Sequence, residues 1–272
     1  MYSGTTLRSS SGNIIGAHQK LDRVARRRIA HYLPDDITFP AIKDILHFEG
    51  RGGPDGIKTK SPARDEPWHY IDPTDPNDRQ LITHIEHHIV NLTSALLDDN
   101  YERAAYEAAW VAHAIVDGLT PAHYYPLEEK IQELWGKPRE ERLTIRDKNI
   151  IIGNGKRDTV SKNWQYWGAK GVWTTHFMFE WGFATTIASQ RFEKAVTTPE
   201  ERARVEREGI VPYFCEAMQQ TYAMGMYETF YKKGWTRRLA SQARGELAPL
   251  IIRTVSLAWY SAAMGASRKK AS

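Results

Sequence analysis

The segment His113-Ala-Ile-Val-Asp117-Gly-Leu-Thr-Pro-Ala-His123 puts three metal-capable side chains at one helix end. His113 and Asp117 are four residues apart, so on a helix they project from one face about a turn apart, the spacing that two ligands of a single ion need. Pro121 ends that helix and sends His123 onto a separate loop, free to reach a neighbouring ion. A second pair at the same spacing follows in Trp173-Thr-Thr-His176-Phe-Met-Phe-Glu180.

Taken singly, a histidine and a carboxylate four apart on a helix are commonly a hydrogen-bonded surface pair. The setting argues for more. Tyr106, Trp110, His113 and Asp117 fall on one helical stripe, and Phe177, Phe179 and Trp181 crowd the second pair. An acid on an apolar, inward-facing stripe is costly unless it is paired or bound to a cation. Other candidates stand upstream. Trp68-His69-Tyr70-Ile71-Asp72-Pro73 sets a histidine in an extended aromatic segment, with Asp72 as a carboxylate that could orient it. Gly52-Gly-Pro-Asp55-Gly56 sets an aspartate in a tight turn, and His18 lies in an opening helix. Asp65, four before His69, rivals Asp55, although the intervening Pro67 argues against a helical pair. His84, His87 and His88 cluster on another helix and read as surface or supporting groups.

In order and spacing, His18, Asp55, His69, His113, Asp117, His123, His176 and Glu180 resemble the ligand series of the zinc-dependent phospholipase C and P1/S1 nuclease superfamily. The resemblance covers about residues 14 to 181, with the HxxxD, TPxH, WHYID, GPD and HxxxE segments as its specific parts. It implies one zinc on Asp55, His69, His113 and Asp117, a second on His123, His176 and Glu180, and a third on His18 sharing Asp117. Family members complete that third site with the amino group and carbonyl of an N-terminal tryptophan. This chain begins Met1-Tyr2-Ser3 and its first tryptophan is Trp68, so two zinc sites are expected and the third lacks its usual partner. Nitrogen and oxygen ligands without thiolate suit catalytic rather than structural zinc. A long stretch between His123 and His176 is a further departure, and such an insertion would overhang the site.

These groups need elements to hold them, and the pattern is helical. Leu81, Ile85, Ile89, Leu92 and Leu96 form a 3.6-residue stripe for a helix over 79–97, and Asp98-Asp-Asn leads into the next over 101–117. Helices are also expected over 18–31, 127–135, 163–190, 199–208, 211–233 and 245–266. Alternating strand patterns are scarce, and no repeat or linker divides the chain. The expectation is an all-α fold, one multi-helix domain over 13–272 of the type the resemblance implies, after a disordered lead-in over 1–12.

Composition agrees. At 272 residues with 41% hydrophobic residues the chain can bury a sizeable core. No apolar run approaches bilayer-spanning length, and Met1 to Gly12 lacks the apolar stretch of a secretory signal, so a cytoplasmic protein is expected. Cys215 is the only cysteine, which excludes an internal disulfide and reads as a core thiol rather than a nucleophile. A net charge of +4 draws phosphate-bearing ligands of either kind, lipid or nucleic acid, and so does not choose between them.

Clustered zinc implies phosphodiester hydrolysis by activated water, with Asp55 as both ligand and orienting or basic group. Glu180, rather than aspartate, leans the reading towards a phospholipase C with peripheral membrane contact. A single-strand nuclease is the enzymatic alternative, and a metal-stabilised lipid-binding module without turnover the non-enzymatic one.

Overall fold

Met1 and residues 16–272 are described by the structure, a computed structural model. In chain order its helices are α1 (Ala17–Ile29), α2 (Ile42–Ile45), α3 (Pro54–Lys60), α4 (Gln80–Leu97), α5 (Tyr101–Gly118), α6 (Leu127–Trp135) and α7 (Ile145–Asn149). They continue as α8 (Lys156–Trp167), α9 (Val172–Ile187), α10 (Pro199–Glu208), α11 (Ile210–Ala223), α12 (Met226–Lys233), α13 (Arg237–Gln242) and α14 (Ala248–Ala271). Short 3-10 turns join several of them, and no strand occurs among the described residues. The protein is all-helical.

The apolar stripe of α4 is buried at Leu81, Ile85, Leu92 and Leu96, and faces α5 in an antiparallel hairpin. Asp99 turns the corner at φ 51°, and the Asn100 side chain accepts from Arg103 N to start α5. Behind this hairpin α14 packs on α1, α4, α5, α10 and α11, and the Trp259 indole donates to the Ala108 carbonyl at 2.9 Å. Helix α13, a short π turn and α14 run continuously over 237–271, long and apolar enough to cross a membrane by composition. Of its apolar window 78% is buried inside the protein, which makes it the core helix of this fold.

Two expected helices are broken. The stretch over 163–190 divides at Gly168-Ala-Lys-Gly171, where a Cβ on Gly171 would come 2.4 Å from the Tyr166 carbonyl oxygen; α8 starts earlier, at Lys156. The stretch over 211–233 divides at Met224-Gly225, Gly225 taking the left-handed φ of 58°. Periodicity continues across both breaks because the flanking helices bury the same kinds of side chain. Apart from Met1, which is buried, the expected lead-in lies outside the described residues.

A smaller apolar cluster of Leu127, Ile131, Trp135, Ile151 and Tyr166 ties α6 and α8 together. The stretch between His123 and His176 thus has a core of its own.

Candidate metal centre

The eight residues arrive on six supports. His18 is on α1, Asp55 in the first turn of α3, His113 and Asp117 in the last turns of α5, and His176 and Glu180 on α9. After α5 ends, Pro121 opens a 3-10 turn over Pro121–Tyr124 that carries His123. The extended segment bearing His69 docks on that turn: Ile71 N donates to the His123 carbonyl at 3.3 Å, and His123 Nδ1 donates to the His69 carbonyl at 2.6 Å. That second bond leaves His123 Nε2 as the acceptor nitrogen, 3.4 Å from the Met1 ammonium and 2.9 Å from Glu180 Oε1.

The eight converge into three adjoining groups: His18, His113 and Asp117; Asp55, His69 and His113; and His123, His176 and Glu180. Within each group the candidate ligand atoms lie within 4.8 Å of one another. Asp117 stands at the junction. Its Oδ2 is 2.6 Å from His69 Nδ1 and 3.1 Å from His113 Nε2, while its Oδ1 is 3.3 Å from His18 Nε2. Glu180 Oε1 lies 2.9 Å from His123 Nε2 and 3.0 Å from His176 Nε2. Asp55 Oδ1 sits 3.9 Å from His113 Nε2 with its side chain 20% exposed, the most open of the set. It lines a cavity, and the other seven are buried.

Burial alone would neutralise these carboxyls, yet neighbouring cationic and imidazole groups overcome it. Asp117 and Glu180 are held well below the usual carboxylate range, and Asp55 at about 2 by His113, the Met1 ammonium, His69 and His18. Burial, aided by Lys58 for His69, keeps His69 and His123 at about 4, so both are neutral at pH 7. His113 goes the other way: although burial disfavours its charge, Glu49 and Asp117 raise it well above the ordinary imidazole value.

Three participants escape sequence reasoning. Glu49 Oε1 accepts from His113 Nδ1 at 3.0 Å, which fixes the ring so that Nε2 points into the cluster. It sits in no recognisable spacing with the ligands. The Met1 ammonium bonds Asp117 and lies 3.4 Å from Glu180, a cation held where the carboxylates converge. Burial is outweighed there by Asp117, Glu180 and Asp55, which lift the amino group to about 10. Lys58, one turn beyond Asp55 on α3, lies 3.5 Å from the Tyr70 hydroxyl, and no carboxylate comes within 4.0 Å of it among the described residues.

Other expectations resolve plainly. Asp65 is on the surface beside Arg64, so Asp55 is the aspartate of the cluster. Asp72 does not orient His69; it is exposed and accepts from Thr74 within its own turn. His88 pairs with buried Glu107 at 2.5 Å, away from the cluster. Cys215 is partly buried, and burial raises its thiol pKa.

The cluster opens onto a cavity of about 340 Å³, within the range of small-ligand sites. Asp55, His123, His176 and Glu180 form its floor, Leu127, Ile131 and Phe177 an apolar wall, and Lys58 and Arg142 a cationic edge. Arg142 pairs with Glu128, and Lys148 with Glu66 at 2.6 Å. Lys148, Tyr166 and Trp167, from the stretch between His123 and His176, also line the cavity.

Glu49→Ala is expected to weaken metal binding about 10- to 100-fold, the usual cost of losing a partner that orients a ligating imidazole. Glu49→Gln, which keeps an acceptor oxygen, should lose less. Competition against a coloured chelator reads both, and equal affinities for all three proteins would remove Glu49 from the site.

Fold and site together define an all-helical protein with buried histidine and carboxylate groups able to hold metal ions. No family model, curated protein or solved structure matches the chain.

Proposed function

We propose that this protein is a zinc-dependent phosphodiesterase that cleaves phospholipid head groups. The convergence of eight residues, spread over more than 160 positions, into three contiguous groups carries the reading. The donor chemistry fits the ion. Five imidazoles and three carboxylates without thiolate suit catalytic zinc. Both ring nitrogens of His18 and Nε2 of His69 are buried without a hydrogen-bond partner, although His18 Nε2 is near Asp117, and such groups cost roughly 1–3 kcal/mol each when left unsatisfied. A metal ion would offset that cost.

Asp55, His69, His113 and Asp117 would hold one zinc, His123, His176 and Glu180 a second, and His18 with Asp117 a weaker third. When bound, zinc supplies positive charge for phosphoryl oxygens and lowers the pKa of water from 15.7 to about 7. Asp55, at the cavity floor, would orient the attacking water. A carboxyl held near 2 is a weak base, so orientation and ligation are its parts rather than retention of the proton. Lys58 would take a nonbridging phosphate oxygen: burial lowers its pKa, but Tyr70, Glu66, Asp55 and Glu180 more than reverse this and keep it charged. Leu127, Ile131 and Phe177 would receive the glycerol and the first carbons of the acyl chains. The resemblance to the zinc-dependent phospholipase C and P1/S1 nuclease superfamily supports the same reading, and glutamate at position 180 favours its phospholipase side.

Elemental analysis after dialysis should find at least two zinc ions per chain. Phosphatidylcholine, an anionic phospholipid, and single-stranded DNA and RNA are then assayed side by side with added zinc. Phospholipid should turn over fastest. Less than one zinc, not restored by added metal, would falsify the metal assignment; faster turnover of nucleic acid, lost in His123→Ala, makes the protein a nuclease. Zinc without turnover leaves a metal-stabilised binding module.

A further inference from the structure

Seven of the twelve large apolar side chains exposed among the described residues fall between Leu143 and Trp167, the stretch that contributes Lys148, Tyr166 and Trp167 to the cavity lining. Ile152 is 62% exposed, Val160 69% and Trp164 71%. Chance scatter would spread such residues over the surface, whereas contiguous apolar exposure marks a contact site. Hydrogen bonds hold the 149–152 segment against α8. Arg157, Val160 and Trp164 share one face of α8, and Ile150 and Ile152 flank buried Ile151, whose backbone N–H and carbonyl both bond the Asn163 side chain of α8. Trp167 joins the same contact, its indole donating to the Asn149 carbonyl at 2.8 Å.

Charge collects on the same stretch. Residues 137–170 hold nine Lys and Arg against four Asp and Glu, a net +5, while the whole chain is only +4. Lys137, Arg146, Lys156, Arg157 and Lys170 are exposed, so these cations are available to a partner.

We infer that this stretch is a membrane-docking surface, seating the mouth of the cavity on a bilayer rich in anionic phospholipid. The inference rests on the phospholipid reading of the cavity. Exposed cations around protruding apolar residues match anionic head groups over acyl chains, with a tryptophan at the boundary between them. The aliphatic character of Leu143, Ile145, Ile150, Ile152 and Val160 favours lipid over nucleic acid, which needs flat aromatic faces for its bases. Continuity with the cavity gives the surface its use: a phospholipid would pass from the bilayer to the cluster without crossing water.

Co-sedimentation of the full chain with vesicles tests it, using phosphatidylcholine alone and phosphatidylcholine with one-third phosphatidylglycerol. Binding should favour the anionic vesicles by more than tenfold and weaken as salt rises. Ile152→Asp with Val160→Asp, and separately Lys156→Glu with Arg157→Glu, should each reduce it at least tenfold. Trp164→Ala is a third variant. Hydrolysis of a water-soluble nitrophenyl phosphodiester should be unchanged in all of them, because none of these side chains lines the cavity. Absence of binding to either vesicle, or binding that all three variants leave intact, overturns the docking surface even if the soluble substrate is cleaved. Binding of single-stranded DNA in place of vesicles, lost in the same variants, also overturns it. Vesicle binding with no turnover of the soluble substrate leaves the surface standing and removes the phosphodiesterase reading instead.

Discussion

Asp117→Asn is expected to lower kcat/KM by about 10³-fold or more, on the order of 4 kcal/mol of lost transition-state stabilisation, and to strip metal from the protein. The size follows from position. Asp117 faces His18 and His113 in one group and lies against His69 of the next, so one lost charge weakens two sites at once. His18→Ala removes a ligand from the third site alone and should cost much less. Zinc content and turnover of a soluble phosphodiester, measured on both variants, decide the matter. Equal losses would mean that the His18 group is as important as the other two. A fully loaded, active Asp117→Asn protein would deny the carboxylate its bridging part. Because Asn can still accept and donate hydrogen bonds at that position, far-ultraviolet circular dichroism should show the fold retained.

The grouping of the candidate ligands was more legible in the sequence than the scaffold's joints. His113 with Asp117, and His176 with Glu180, announce themselves because a helix converts a four-residue spacing into adjacency. The distant members, His18, Asp55 and His69, have no such local signature, and only the order of the whole series placed them. Glu49 was invisible because its partner lies 64 residues away and its own neighbours follow no period. Asp72 misled for the opposite reason: it is close to His69 in sequence, but the extended backbone turns it outward to hold Thr74. Helix existence was likewise clear, whereas the breaks at 168–171 and 224–225 depend on backbone approach and a left-handed turn, which hydrophobic period does not record.

Each zinc ion loaded is expected to raise the unfolding temperature by on the order of 10 °C at pH 7.5. Free metal at about 1,000 times its dissociation constant adds about 4 kcal/mol per site, and for a chain of this size 1 kcal/mol moves the midpoint by roughly 2–4 °C. The gain should shrink as pH falls. His69 and His123, held at about 4 by burial, are already neutral at pH 7 and take zinc without releasing protons. His113, raised by Glu49 and Asp117, is protonated there and must lose its proton to bind, as must the Met1 ammonium if it yields its place. Loading at pH 7 should therefore release at least one proton per chain, read by calorimetry in buffers of different ionisation enthalpy. The metal-free protein has its own pH dependence. For His69 and His123 the folded value lies below the unfolded one, so their stability is full above about 6.5 and is lost as pH falls towards 4. His113 has the reverse sign: its contribution is full below about 6.5 and disappears as pH rises through its elevated folded value. Zinc should thus stabilise most where His113 has least to give, on the alkaline side of neutrality. A midpoint that zinc leaves unmoved at pH 7.5, or loading that takes up protons, contradicts the ligand assignment.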